Sequence, residues 1–148
     1  MKRSKILDEE MLFRRVAVHK PKTDANNRRY EKNDSGEFKV LPLAFYHNEN
    51  RVSVNRQYDH NIVLKTQGDL SNGVVRLIAG YVRNMPDIYP FQAVVNHDPI
   101  DENELHSVIT METDKQITDD NHAEFRRIFR QNLADIANVL KWEIKPAY

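Results

Sequence analysis

Apolar and polar positions change period several times along this chain, and each change predicts an element. "MLFRRVAVH" (residues 11–19) reads as a strand that Pro21 ends. "DANNRRYEKNDSG" (24–36) is polar and rich in turn formers, so residues 21–36 are expected to form a long exposed loop. "EFKVLPLAFYH" (37–47) and "RVSVN" (51–55) read as strands, with "NEN" as the turn of a hairpin and Pro42 at an edge or bulge. "HNIVLKT" (60–66) alternates as a further strand.

The period then lengthens. Val74, Val75, Leu77, Ile78, Tyr81 and Val82 fit one helical face, with Ser71 as N-cap and Pro86 beyond the end. "PFQAVVNH" (90–97) and "LHSVITME" (105–112) return to strand character around an acidic loop. The last segment carries Phe125, Ile128, Phe129, Leu133, Ile136, Ala137 and Leu140 at 3.6-residue spacing. Asp119 and Asp120 near its start and Lys141 in its last turn suit the helix dipole. The order predicts an α+β fold: a mostly antiparallel sheet of about five to six strands with two helices packed on one face. Residues 1–10 are expected to be frayed and residues 11–148 to form a single domain.

Composition narrows the setting. The chain has 148 residues and no cysteine, which excludes disulfides and thiolate chemistry. No apolar run has the length of a signal peptide core or a membrane span. A soluble, cytoplasmic protein without membrane association or a cofactor is expected, and a homo-oligomer is compatible with the chain. Net charge is zero but unevenly laid out. Residues 1–35 hold ten Lys/Arg against six Asp/Glu, whereas residues 86–124 hold one against ten. A basic and an acidic patch follow if each segment packs as a unit.

The stretch "VVNHDPIDENELHSVITME" (94–112) has the densest candidate chemistry. His97 and His106 flank Asp98, Asp101, Glu102 and Glu104. The ligand types suit a metal but the spacing matches no metal motif, so no metal site is assigned. A hairpin would bring the two histidines within several ångströms of each other. His106, at a strand start beside carboxylates, is the candidate general acid or base, with Asp98 to orient it. Alternation puts Arg14 on one face of the first strand and Arg15 on the other, so an arginine accompanies whichever face is buried and must find a partner there. Ser53 lies between two valines without a nucleophile-elbow sequence. For nucleic acid, Arg126, Arg127 and Arg130 form the best cluster; Arg126 and Arg130 project together, and Tyr30 is a candidate stacking ring. Arg15 and His19 complete the candidate binding residues.

"FRRVAVH", "LAFYHNENRVSVN" and "DPIDENELHSVI", followed by a C-terminal helix, resemble a group of short prokaryotic proteins with no assigned activity. The resemblance implies a bacterial or phage origin, marks Arg14, Ser53, Asp98 and His106, and implies no reaction. The repeated H-x-[S/T] of two-histidine phosphoesterases is absent, because His106-Ser107-Val108 has no second copy. The chain is expected to be a binding or accessory domain that recognises a protein partner through opposite charge patches. Two alternatives stand beside it. One is a small hydrolase or transferase centred on His106, with Arg14 or Arg15 holding an anionic substrate. The other is a nucleic-acid binder using the C-terminal helix arginines.

Overall fold

The computed structural model describes residues 5–19, 23–24, 27–47, 49–57, 61–116 and 119–148, the side chains of 119–121 excepted. Its centre is a six-stranded sheet of β1 (Met11–Val16), β4 (Val52–Arg56), β5 (Gly73–Ile78), β6 (Gln92–His97), β7 (His106–Glu112) and β8 (Trp142–Ile144). The spatial order is β6-β7-β4-β1-β5-β8, and every neighbouring pair is antiparallel. A separate hairpin pairs β2 (Tyr30–Lys32) with β3 (Phe38–Val40). Three helices, α1 (Asn61–Gln67), α2 (Ala79–Arg83) and α3 (Asp119–Leu140), complete the α+β fold. Among the described residues no helix is long and apolar enough to cross a membrane.

The two faces of the sheet are covered differently. Leu12, Val54, Leu77, Val95 and Ile109 point toward the face carrying α2 and α3 and meet Phe129, Leu133 and Ala137 of α3. Burying each such leucine or phenylalanine contributes roughly 1.5–3 kcal/mol. On the other face α1 lays Ile62 against Phe13 and Val74. The two helices expected on one face correspond to α2, which is shorter than expected, and α3, and they do share a face; α1 is an additional helix on the opposite face, so that α1 and α3 sandwich β5. Asp119 and Asp120 hold the first helical positions of α3; as N-terminal acids their side chains lie outside the described residues.

Several boundaries differ from those the pattern predicts, each for a physical reason. Residues 73–78 are a strand because β5 is buried on both faces. Val74, Val75 and Leu77 are all 1% exposed or less, so no alternation marks them. Residues 61–67 are a helix whose Ile62 and Thr66, four apart, face the sheet, and the Thr66 hydroxyl donates to the Ile62 carbonyl at 2.6 Å. The 37–47 segment breaks after β3 because Pro42 opens a 3-10 turn, Pro42–Phe45. β3 consequently pairs with β2 inside the expected loop, and Tyr30 there is 2% exposed. Ile6 is buried, and Arg83 holds the Ile6 carbonyl and the Asp8 carboxylate, so residues 5–10 pack rather than fray.

Candidate functional site

The β6–β7 hairpin forms as expected and settles the histidines. His97 stands opposite Ser107 and His106 opposite Asn55 on β4, so the two rings lie on opposite faces of the sheet. The His106 Nδ1 donates to the Asp98 backbone carbonyl at 2.8 Å, and the Asp98 carboxylate lies 3.4 Å away. Because a carbonyl only accepts, Nδ1 carries the proton and Nε2 presents its lone pair when the ring is neutral. Arg51 reaches the same carboxylate at 3.5 Å. Ser53 occupies the same face one rung further along, opposite Val108, and is exposed. A histidine, an acid and an arginine thus converge, on the half of the sheet that α1 leaves open.

The acidic loop is held by residues the sequence did not single out. Ile100 and Asn103 exchange backbone hydrogen bonds across the turn. The Asn103 amide donates to Asn55 at 2.5 Å, and Asn55 donates to Thr66 of α1 at 2.8 Å. Lys65 donates to the Glu102 carbonyl at 3.0 Å. These bonds turn the loop into a fixed ledge against α1. Among the described residues no three or more His, Asp or Glu side chains gather as a metal-binding group.

Arg14 does not join His106. It lies on the other face, where it donates to the carbonyls of Ala44 at 2.9 Å and Ser53 at 2.8 Å, with its guanidinium 5.8 Å from the Phe45 ring centroid. Burial, with Arg29 beside it, pushes Arg14 down to about 10. Arg15 on the opposite face donates to the Thr66 carbonyl at 2.8 Å and so caps α1. An arginine does accompany each face, and backbone carbonyls receive it rather than the acidic loop. The ring of His19 stacks on Tyr30, 4.3 Å between centroids, and Nε2 lies 3.2 Å from the Tyr30 carbonyl.

A second cluster has a different chemistry. The Arg130 guanidinium lies 5.1 Å from the centroid of Tyr46, which is 52% exposed, and reaches Asn50 at 3.4 Å. Arg126 is one turn away. Burial and the like charge of Arg126 hold Arg130 below its ordinary value. Among the described residues neither Arg126 nor Arg130 forms an ion pair, whereas Arg127 is paired with Glu124 at 2.6 Å. The aromatic partner is Tyr46, not Tyr30, whose hydroxyl instead donates to the Tyr148 carbonyl at 2.6 Å. Tyr46 follows the 3-10 turn directly, so the signal that would have located it is the break at Pro42.

One further pair was not marked by any motif. Arg56 is 5% exposed and meets both carboxylate oxygens of Glu10, at 2.5 and 2.7 Å, with His97 Nδ1 at 3.3 Å. Arg56 continues the core-facing phase of Val52 and Val54, which is the sequence signal for it. Comparison of the chain with protein-family models, curated proteins and solved structures found no match.

Proposed function

We propose that the protein is a small non-catalytic binding domain that recognises nucleic acid through Arg126, Arg130 and Tyr46. The observation that supports it is the Arg130 guanidinium laid on a half-exposed tyrosine ring, with Arg126 one turn away and, among the described residues, no carboxylate neutralising either. Two uncompensated guanidiniums attract phosphates, and a ring already positioned for a planar cation is positioned for a base.

The test is a titration of the protein into labelled oligonucleotide, followed by anisotropy over a range of salt. Arg126→Ala/Arg130→Ala is expected to weaken binding at least about tenfold and flatten the salt dependence, each phosphate contact removed taking about 0.7 from the log–log slope for a single strand. Tyr46→Ala is expected to lose roughly 1–3 kcal/mol. Absence of binding at low salt removes the reading.

A second reading, recognition of a protein partner, is supported by a groove of about 410 Å³ between α2 and α3. Met85, Pro86 and Ile136 line it, and Tyr81 and Val139 stand 53% and 72% exposed beside them. Asp135 is the charged residue of the lining. The occupant this chemistry fits is an apolar segment of another protein carrying a lysine or arginine opposite Asp135. A photo-crosslinker at position 139 should capture such a segment in the wild-type background and lose it with Asp135→Lys; cross-linking indifferent to that charge reversal rules this occupant out.

A further inference from the structure

Resting on the nucleic-acid reading, we infer that the ligand is a single strand of about four nucleotides laid over residues 39–46, the segment that packs along α3, with one base held in a second site between the β2–β3 hairpin and the end of that helix. The second site is an open cavity of about 580 Å³. Arg28, Lys32, Lys39 and Lys141 line it against two carboxylates, Glu31 and Glu37. Phe38 and Trp142 supply aromatic surface, their rings 6.3 Å apart and tilted by 72°.

The two stations lie on one stripe. Arg126, Arg130, Ala134 and Asn138 follow at four-residue intervals along one side of α3, Ala134 among them buried, and Lys141 comes directly after the helix ends. The segment connecting the stations is fixed along that side. Asn138 donates to the Val40 carbonyl and accepts from its N–H, both at 3.0 Å, while Ala44 and Phe45 are buried beneath the 3-10 turn. From Arg126 to Leu140, the last helical residue, the helix rises roughly 21 Å. That reach matches the lower end of known single-strand site sizes, about four nucleotides.

The chemistry favours a base inside the cavity and phosphates at its rim. Glu31 and Glu37 repel a phosphate but accept from base N–H groups. The Lys32 ammonium lies 5.3 Å from the Phe38 centroid, and from this exposed position the lysine can exchange the ring for a phosphate and leave its place to a base. A duplex keeps its bases stacked inside and reaches neither ring, which is why the strand must be single.

Trp142 is the single tryptophan of the chain and reports on this cavity directly. Oligothymidylates of increasing length would be titrated into the full-length protein while Trp142 emission and ligand anisotropy are followed together. Emission is expected to be quenched, and affinity to rise with length until about four nucleotides and then level off. Lys32→Gln/Lys39→Gln, at two exposed hairpin positions, is expected to weaken binding about tenfold and reduce the quench. The same double variant should lower the salt slope by about 1.4, since each lysine neutralises one phosphate. If oligothymidylate binds through Arg126 and Arg130 while emission and the double lysine variant show no effect, the second site is overturned and the first stands. If nothing binds at low salt, both fall. A duplex that binds as tightly as the single strand, or an acidic peptide that displaces it at equal concentration, overturns the assignment of a single strand.

Discussion

A β-carbon on Gly73 would lie 2.7 Å from the Trp142 ring. The same atom would approach the Ile144 carbonyl and Pro146 at 3.1 Å, so β8 is seated on β5 only because residue 73 has no side chain. Gly73→Ala is expected to cost about 1–3 kcal/mol by overpacking and to displace the tryptophan. Denaturant unfolding read both by far-ultraviolet circular dichroism and by Trp142 emission checks it. An unshifted midpoint with unchanged emission would show that β8 yields freely.

The Arg56–Glu10 pair predicts an asymmetry. Removing Glu10 alone strands a nearly buried guanidinium, so Glu10→Ala is expected to lose about 3–5 kcal/mol. Replacing both partners with leucine should cost much less, because no uncompensated charge remains. Chemical denaturation of the three proteins gives the comparison; a double replacement as damaging as the single one contradicts it.

His106 should be found as the Nδ1–H tautomer when neutral, since the Asp98 carbonyl accepts from that nitrogen. Nitrogen-15 correlation spectra of the imidazole distinguish the two tautomers. His106→Ala is expected to leave oligonucleotide affinity within about twofold, because the ring lies on the sheet face opposite α3 and none of the proposed contacts involves it. A larger loss would bring the open half of the sheet into the binding surface.

Tyr30 makes the fold sensitive to alkali. Burial raises its phenol above the ordinary value of 10. The folded protein therefore keeps a proton that the unfolded chain releases first, and stability is full below pH 10 and declines as pH climbs toward the folded value. Tyr30→Phe should flatten that decline while also losing the hydrogen bond to Tyr148. Thermal melts of both proteins from neutral pH upward provide the check; parallel declines would point to another group.

The parts of the fold with a single exposed face were legible in the sequence. α3 announces itself because Phe129, Leu133 and Ala137 recur on one stripe, while Glu124, Arg127, Gln131 and Asp135 mark a polar side. The β6–β7 hairpin is equally plain, with Ala93 and Val95 inward and Gln92 and Asn96 outward. β5 was illegible for the opposite reason, since a strand covered on both faces has no alternation to read. α1 failed because Ile62, Leu64 and Thr66 alternate by accident, and only Ile62 and Thr66 are buried. At the candidate sites, Asp98 and His106 could be paired from strand geometry. Tyr46 could not be joined to Arg130, because that contact spans distant parts of the chain and depends on a turn at Pro42. Arg51 entered through the reach of its side chain, which strand phase does not foretell.

The sheet ends in two strands of unlike length. β8 has three residues and is followed at once by Lys145 and Pro146, so it offers little backbone to a neighbouring chain. β6 has six, and among the described residues its outer row of amide and carbonyl groups has no neighbouring strand in the sheet. Pro90 before it and Pro99 after it carry no N–H, and together they limit any added strand to the span between them. Among the described residues the six-stranded sheet therefore has a long, bounded seam at β6 and a short one at β8: strand addition that joins two copies at β6 finds little backbone at β8 on which to propagate into a fibre.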